Sequence, residues 1–169
     1  MDDLARSIVA TATLRQGAPY WDYIAVPNPL KSKRPNDLIH QVYILWGIET
    51  YRDLGGTVKP TWSRTGAVES LRRFWKDDTL RFFAQDETTI KPGNREAPAN
   101  VWGAGMMLAF EAKWGSSRET ERCWHAIARS YGPFPDLRVL PRDTSDDNQF
   151  YPRDAAHVLF GLAQTAFKK

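Results

Sequence analysis

Hydrophobic positions recur with the period of a helix in six stretches of the chain, and they do so in two ways. In residues 3–14, Leu4, Ile8, Val9 and Ala12 make an apolar stripe. In residues 64–76, Val68, Leu71, Phe74 and Trp75 share one side, with Glu69, Arg72 and Arg73 on the other. A third striped helix opens with Ser116 and Glu119, spaced as a capping box, and closes at Tyr131-Gly132-Pro133. The helices between them cover about 36–54, Pro98 to Trp114, and Pro152 to Phe167, and are apolar almost all round. A helix with one apolar stripe meets water on its other side, whereas one that is apolar all round is covered. The pattern predicts alternating outer and inner helices.

The links add short extended segments at 20–26, 79–84 and 137–140, set off by Pro27-Asn28-Pro29, Gly55-Gly56 and Pro92-Gly93-Asn94. The inner helices also share a design. Asn36-Asp37-Leu38-Ile39-His40, Pro98-Ala99-Asn100-Val101-Trp102 and Pro152-Arg153-Asp154-Ala155-Ala156-His157 each lead from polar residues into an apolar run. Placing Glu49 on Glu111 and His40 on His157 gives offsets of roughly 60 and 55 residues, a loose period of stacked helical units. The expected fold is therefore mainly α: three helical pairs forming one domain over residues 1–169, arranged as a partial (α/α) toroid with short strands in its long loops. A plain six-helix bundle is the competing arrangement. Gly47, Gly103, Ala104, Gly105, Ala155, Ala156 and Gly161 allow the inner helices to approach closely.

Composition narrows the class without deciding it. With 42% apolar and 25% charged residues the chain is an ordinary folding sequence, and 169 residues suffice for one core. No apolar run reaches the roughly 20 residues of a membrane span, and the start shows no leader-like pattern, so a cytoplasmic location is expected. The net charge of +3 is dispersed. Lys31-Ser32-Lys33-Arg34 is the densest basic cluster and reads as a solvated loop, so nucleic acid is not an expected partner. The single cysteine, Cys123, excludes an internal disulfide and lies on an apolar helical face as a small hydrophobe.

If the inner helices are parallel, their N-termini gather the candidate chemistry at one end. Asp37 and Asp154 each precede a histidine, His40 and His157, by three residues, a spacing that puts each pair on one side of a helical turn. A histidine with a carboxylate is the minimum for general acid–base work, and Tyr151 is close in sequence to the second pair. The structural alternative is that the aspartates cap helices and the histidines satisfy local polar neighbours. Imidazole and carboxylate also suit zinc or manganese, but the tight spacing of a metal signature is missing, and neither a metal nor a cofactor is expected. Asn36, Glu96, Asn100, Trp102 and Arg153 stand at the same helix starts. Trp21 and Tyr23 fall in a link and are candidate stacking surfaces, whereas Trp46, Trp75 and Trp124 read as core. Glu49 and Glu111, inside apolar helices, need partners such as Arg52 or Lys113. Phosphate-binding loops, dinucleotide fingerprints and serine-nucleophile elbows are missing from the sequence.

At Asn36-Asp37-Leu38-Ile39-His40-Gln41-Val42-Tyr43 and Phe150-Tyr151-Pro152-Arg153-Asp154-Ala155-Ala156-His157 the chain resembles carbohydrate-active (α/α) toroid proteins. These include polysaccharide lyases, several glycoside hydrolases and the toroid domain of glucuronyl epimerases. The resemblance implies an oligo- or polysaccharide partner held at the starts of the inner helices. It implies that Asn36, Asp37, His40, Glu96, Asn100, Tyr151, Arg153, Asp154 and His157 line the cleft. In that setting His40 or His157 is the base, Tyr151 the acid, and Asn100 or Arg153 faces a substrate carboxylate. A complete toroid has about six helical pairs, so three pairs imply half a toroid, a piece of a larger protein, or a domain that closes its open edges by homodimerising. A helical protein-interaction module without catalysis is the alternative.

Overall fold

The computed structural model describes residues 1–23, 35–131 and 152–166. Residues 24–26 of the first expected strand, the strand at 137–140, Lys31–Arg34, Tyr151 and Phe167 lie outside the described residues, as do the side chains of Arg153 and Asp154. The described residues are mainly helical, with two short antiparallel strand pairs.

Helix α1 (Asp2–Ala10) is shorter than its apolar stripe suggests. Ala5 is its buried residue, and Leu4 points to solvent. The stripe breaks because Thr13–Arg15 (β1) and Ala18–Tyr20 (β2) pair antiparallel across a two-residue turn. Gln16 and Gly17 in that turn both have positive φ, 53° and 80°. This turn matches the twist of the flanking strands but needs left-handed backbone at both positions.

Helix α2 (Leu38–Asp53) opens at Asp37, whose side chain accepts from the His40 backbone N–H, and closes before Gly55, in the left-handed region at φ 83°. Helix α3 (Arg64–Arg72) is capped by Ser63 and ends earlier than expected. Trp75–Lys76 (β3) and Thr79–Leu80 (β4) leave the helical path to form the second hairpin, turning through Asp77 at φ 53°. Beyond β4 the expected strand reduces to single bridges, Arg81 with Pro98 and Asp37 with Phe83. A short helix α4 (Pro92–Arg95) precedes α5 (Val101–Trp114), which starts three residues after Pro98 because Asn100 is its cap. Helix α6 (Ser117–Tyr131) returns along α5 after the tight link at Gly115-Ser116, and α7 (Pro152–Ala166) completes the set.

Helix α5 is the centre, buried continuously from Gly103 to Ala112 and packed against α2, α6 and α7. Its neighbours α2 and α7 run parallel to it. Gly103 lies level with Ile39 and, further along both helices, Trp114 meets Trp46. Gly105 lies against His157 and Val158, and Leu108 lies against Gly161. Tyr43 with His157 and Trp46 with Phe160 show the same direction for α2 and α7. The apolar character of α7 does not mean cover on every side. Ala155, Val158 and Gly161 are buried towards α5, while Leu159 and Phe160 are 48% and 38% exposed. Among the described residues α5 packs along it, α2 meets it through Tyr43–His157 and Trp46–Phe160, and α6 flanks it across a pocket lined by Trp124, Leu162 and Thr165.

A buried polar cluster ties α2 to α3 and the first hairpin. The Gln41 amide donates to the Pro19 carbonyl (3.0 Å) and the Ser70 hydroxyl (2.7 Å), and Ser70 donates to the same carbonyl. Pro19 supplies only an acceptor, so the amide and hydroxyl suit it. Gln41→Ala should destabilise the fold by about 1–3 kcal/mol in urea denaturation, because it removes the donor and leaves a cavity in a site with no exposure.

Candidate functional site

Parallel α2, α5 and α7 bring their N-terminal ends together, and α2 presents His40 and Tyr43 on its exposed side, three residues apart. Each is held from its own neighbourhood. Asp37 Oδ1 accepts the His40 backbone N–H at 3.0 Å and lies 2.7 Å from its Nδ1. A carboxylate at Nδ1 fixes that nitrogen as the N–H donor and leaves Nε2 as the basic nitrogen. The His40 side chain is 46% exposed, with the Tyr23 ring edge-on at 4.9 Å.

One turn along, the Tyr43 hydroxyl lies 2.5 Å from His157 Nε2, a short contact between a phenol and an imidazole. The His157 ring lies 6.0 Å from Tyr43 and 6.2 Å, edge-on, from Trp102 at the start of α5. Below this level the row of rings continues through Trp46, Phe160 and Trp114, with Lys113 Nζ 4.3 Å from the Trp114 ring centroid. One face thus carries a histidine–carboxylate pair, a tyrosine–histidine pair and flanking aromatic edges, the elements of proton transfer and ring stacking.

His40 and His157 are not equivalent by position. Helix α7 begins at Pro152, so His157 lies in its second turn, level with Tyr43 rather than His40. Tyr43 is the residue that sequence reasoning passed over as a site candidate. Its signal was a tyrosine three residues after His40 on the same helical side.

The other candidates are placed differently. Asn36 is buried, with its amide Nδ2 3.5 Å from Gln41 Oε1 and its carbonyl accepting from Tyr20, whose hydroxyl burial pushes well above the usual tyrosine range. Trp21 is buried too, donating through Nε1 to the Ile8 carbonyl at 2.9 Å and meeting Trp62 edge-on, so its ring faces the core. Asn100 uses its side-chain oxygen on the Gly103 N–H at 2.9 Å. Glu96 is paired with Lys76 at 2.6 Å and Arg81 at 3.7 Å, and the Lys76 hydrogen bond holds its carboxyl below the usual range. Tyr151 and the side chains of Arg153 and Asp154 lie outside the described residues.

Glu49 has no exposure and is gripped by Arg52 Nη1 (3.0 Å) and Arg64 Nε (3.0 Å). Arg64 reaches on to Asp53, which also accepts from Trp114 Nε1 at 2.9 Å. Burial pushes the Asp53 carboxyl up, and the Trp114 and Arg64 hydrogen bonds more than offset it, leaving it below the usual range. This network fixes the far ends of α2 and α5 and is structural. Cys123 is buried, and burial raises its thiol well above the usual range. A surface groove of about 830 Å³ runs along α6 past Arg118, Arg122, His125 and Arg129. Two of these arginines are engaged with the second hairpin, Arg122 through the Asp77 carbonyl and Arg129 through the Asp78 carbonyl.

No protein-family model, curated protein or solved structure matches the chain.

Proposed function

We propose that this chain is a carbohydrate-binding or polysaccharide-processing domain of (α/α) toroid type, whose glycan lies across the starts of α2, α5 and α7. The observation that supports it is the meeting of hydrogen-bonding and stacking groups on one face: Asp37–His40 beside Tyr23, and Tyr43–His157 beside Trp102. A sugar ring presents an apolar C–H face and a rim of hydroxyls, and this row offers a partner to each. In this reading α2, α5 and α7 are inner helices and α3 and α6 outer ones. Where the site also turns substrate over, His40, with Nδ1 tied to Asp37, is the base, and the Tyr43–His157 pair accepts and returns a proton.

A second reading, a helical interaction module without chemistry, is favoured by one observation: the Asp37–His40 pair closes within a single helical turn, as a helix cap does.

Titration with a panel of acidic and neutral oligosaccharides, followed by tryptophan fluorescence, separates the two, since Trp102 reports directly on His157. Binding to the face should give saturable quenching, with Kd raised about tenfold in His40→Ala and in His157→Ala, equivalent to about 1.4 kcal/mol for each lost contact. A folded protein that responds to no member of the panel, or one whose response survives both substitutions, would overturn the carbohydrate reading.

A further inference from the structure

The outer side of α7 carries a pattern that, apart from Phe160 at its edge against Trp46, neither reading of the site uses. Pro152, Ala156, Leu159, Ala163 and Ala166 are all exposed, at successive spacings of four, three, four and three residues, with Phe160 beside them. That is the seam spacing of two helices packed along one another. Residues 155–166 contain no Asp, Glu, Lys or Arg, although this side faces solvent. Helix α6, by comparison, bears charges throughout its outer face, including Arg118, Glu121, Arg122 and Arg129.

The stripe is also symmetric about its own middle. Ala156 and Ala163 stand at equal distances on either side of the Leu159–Phe160 step, so the symmetry holds over the central turns of the helix. A two-fold axis through that step would set each Ala156 against the second copy's Ala163. Leu159 and Phe160 would then face their counterparts at the centre, so small residues allow close approach on both sides of a large apolar middle. Two-fold contacts bring one patch against itself, and a charge-free stretch in which Ala156 and Ala163 flank a large apolar centre at equal distances suits that operation. We infer that the outer side of α7 is the self-association surface of this chain, pairing antiparallel with α7 of a second copy.

A contact confined to one helix of 15 residues, about 22 Å long, lies at the small end of specific interfaces, so the association should be weak and concentration-dependent. Sedimentation over a range from low to high micromolar protein tests it. The wild-type mass should rise from 19.3 kDa towards twice that value. Leu159→Glu, which places two like charges near the axis at an already half-exposed position, should stay monomeric with an unchanged circular dichroism spectrum.

Orientation is read separately. An equimolar mixture of Ala156→Cys and Ala163→Cys proteins should form a mixed disulfide-linked dimer under mild oxidation, with each variant alone giving little, since Cys123 is buried. A wild-type protein that stays monomeric throughout would overturn the inference. A dimer that survives Leu159→Glu, or Ala156→Cys protein linking efficiently to itself, would overturn it equally. None of these outcomes depends on whether a glycan binds.

Discussion

Gly105→Ala should lower the unfolding free energy by about 3 kcal/mol, an overpacking cost at the upper end of the usual range. A Cβ at Gly105 would stand 2.7 Å from the His157 carbonyl carbon and the Val158 nitrogen. Both are backbone atoms of α7, so no side chain can swing aside and the helices themselves must separate. Gly161 makes the reciprocal contact, 2.7 Å from the Gly105 carbonyl oxygen, and its replacement should cost a similar amount. Urea denaturation of the two variants checks this. Gly47→Ala is the control: nothing lies within 4 Å of its added carbon, and the backbone is helical. It should therefore stabilise the protein by about 0.5–1 kcal/mol. A Gly105→Ala protein as stable as wild type would show that α5 and α7 do not meet at this crossing.

The second large effect concerns Glu49. Either arginine alone keeps its carboxylate paired, so Arg52→Ala and Arg64→Ala should each cost about 1–2 kcal/mol. The double substitution leaves a fully buried charge without either partner and should cost about 4 kcal/mol or more. The signature is the excess over additivity, read from a double-mutant cycle in urea. Strict additivity would mean that solvent or another donor reaches Glu49 once one arginine is gone.

The helices and most of their caps were legible because their signals are local. Ser116 accepts from a backbone N–H three residues on, as its spacing suggested, and Ser63 and Asp37 do the same. Both early helix ends were missed for one physical reason. The apolar period runs on through Thr13–Leu14 and through Phe74–Trp75, while two-residue turns at Gln16 and Asp77 send the chain back as hairpins. Neither turn carries the Asn-Gly or Asp-Gly pair that would have announced it. At the site, the Asp37–His40 spacing could be read because it lies within one turn. The level of His157 could not, because it depends on where α7 starts and how it crosses α5. Tyr43 became a candidate only when a residue 114 positions away was placed against it.

That separation bears on how the chain acquires its structure. Antiparallel helices joined by short links form most of their contacts between near neighbours in sequence, and such proteins fold fast. Among the described residues α5 and α6 make that kind of pair, as α2 and α3 do across a longer link, whereas parallel α2, α5 and α7 meet after intervening helices and hairpins have been traversed. Each meeting closes a long loop before it gains any contact energy. By content the protein is helical, but in the search for its native pairings it resembles a sheet protein. The apolar side of α5 that faces α7 stays uncovered until the α7 segment arrives, and during that interval the chain is open to aggregation.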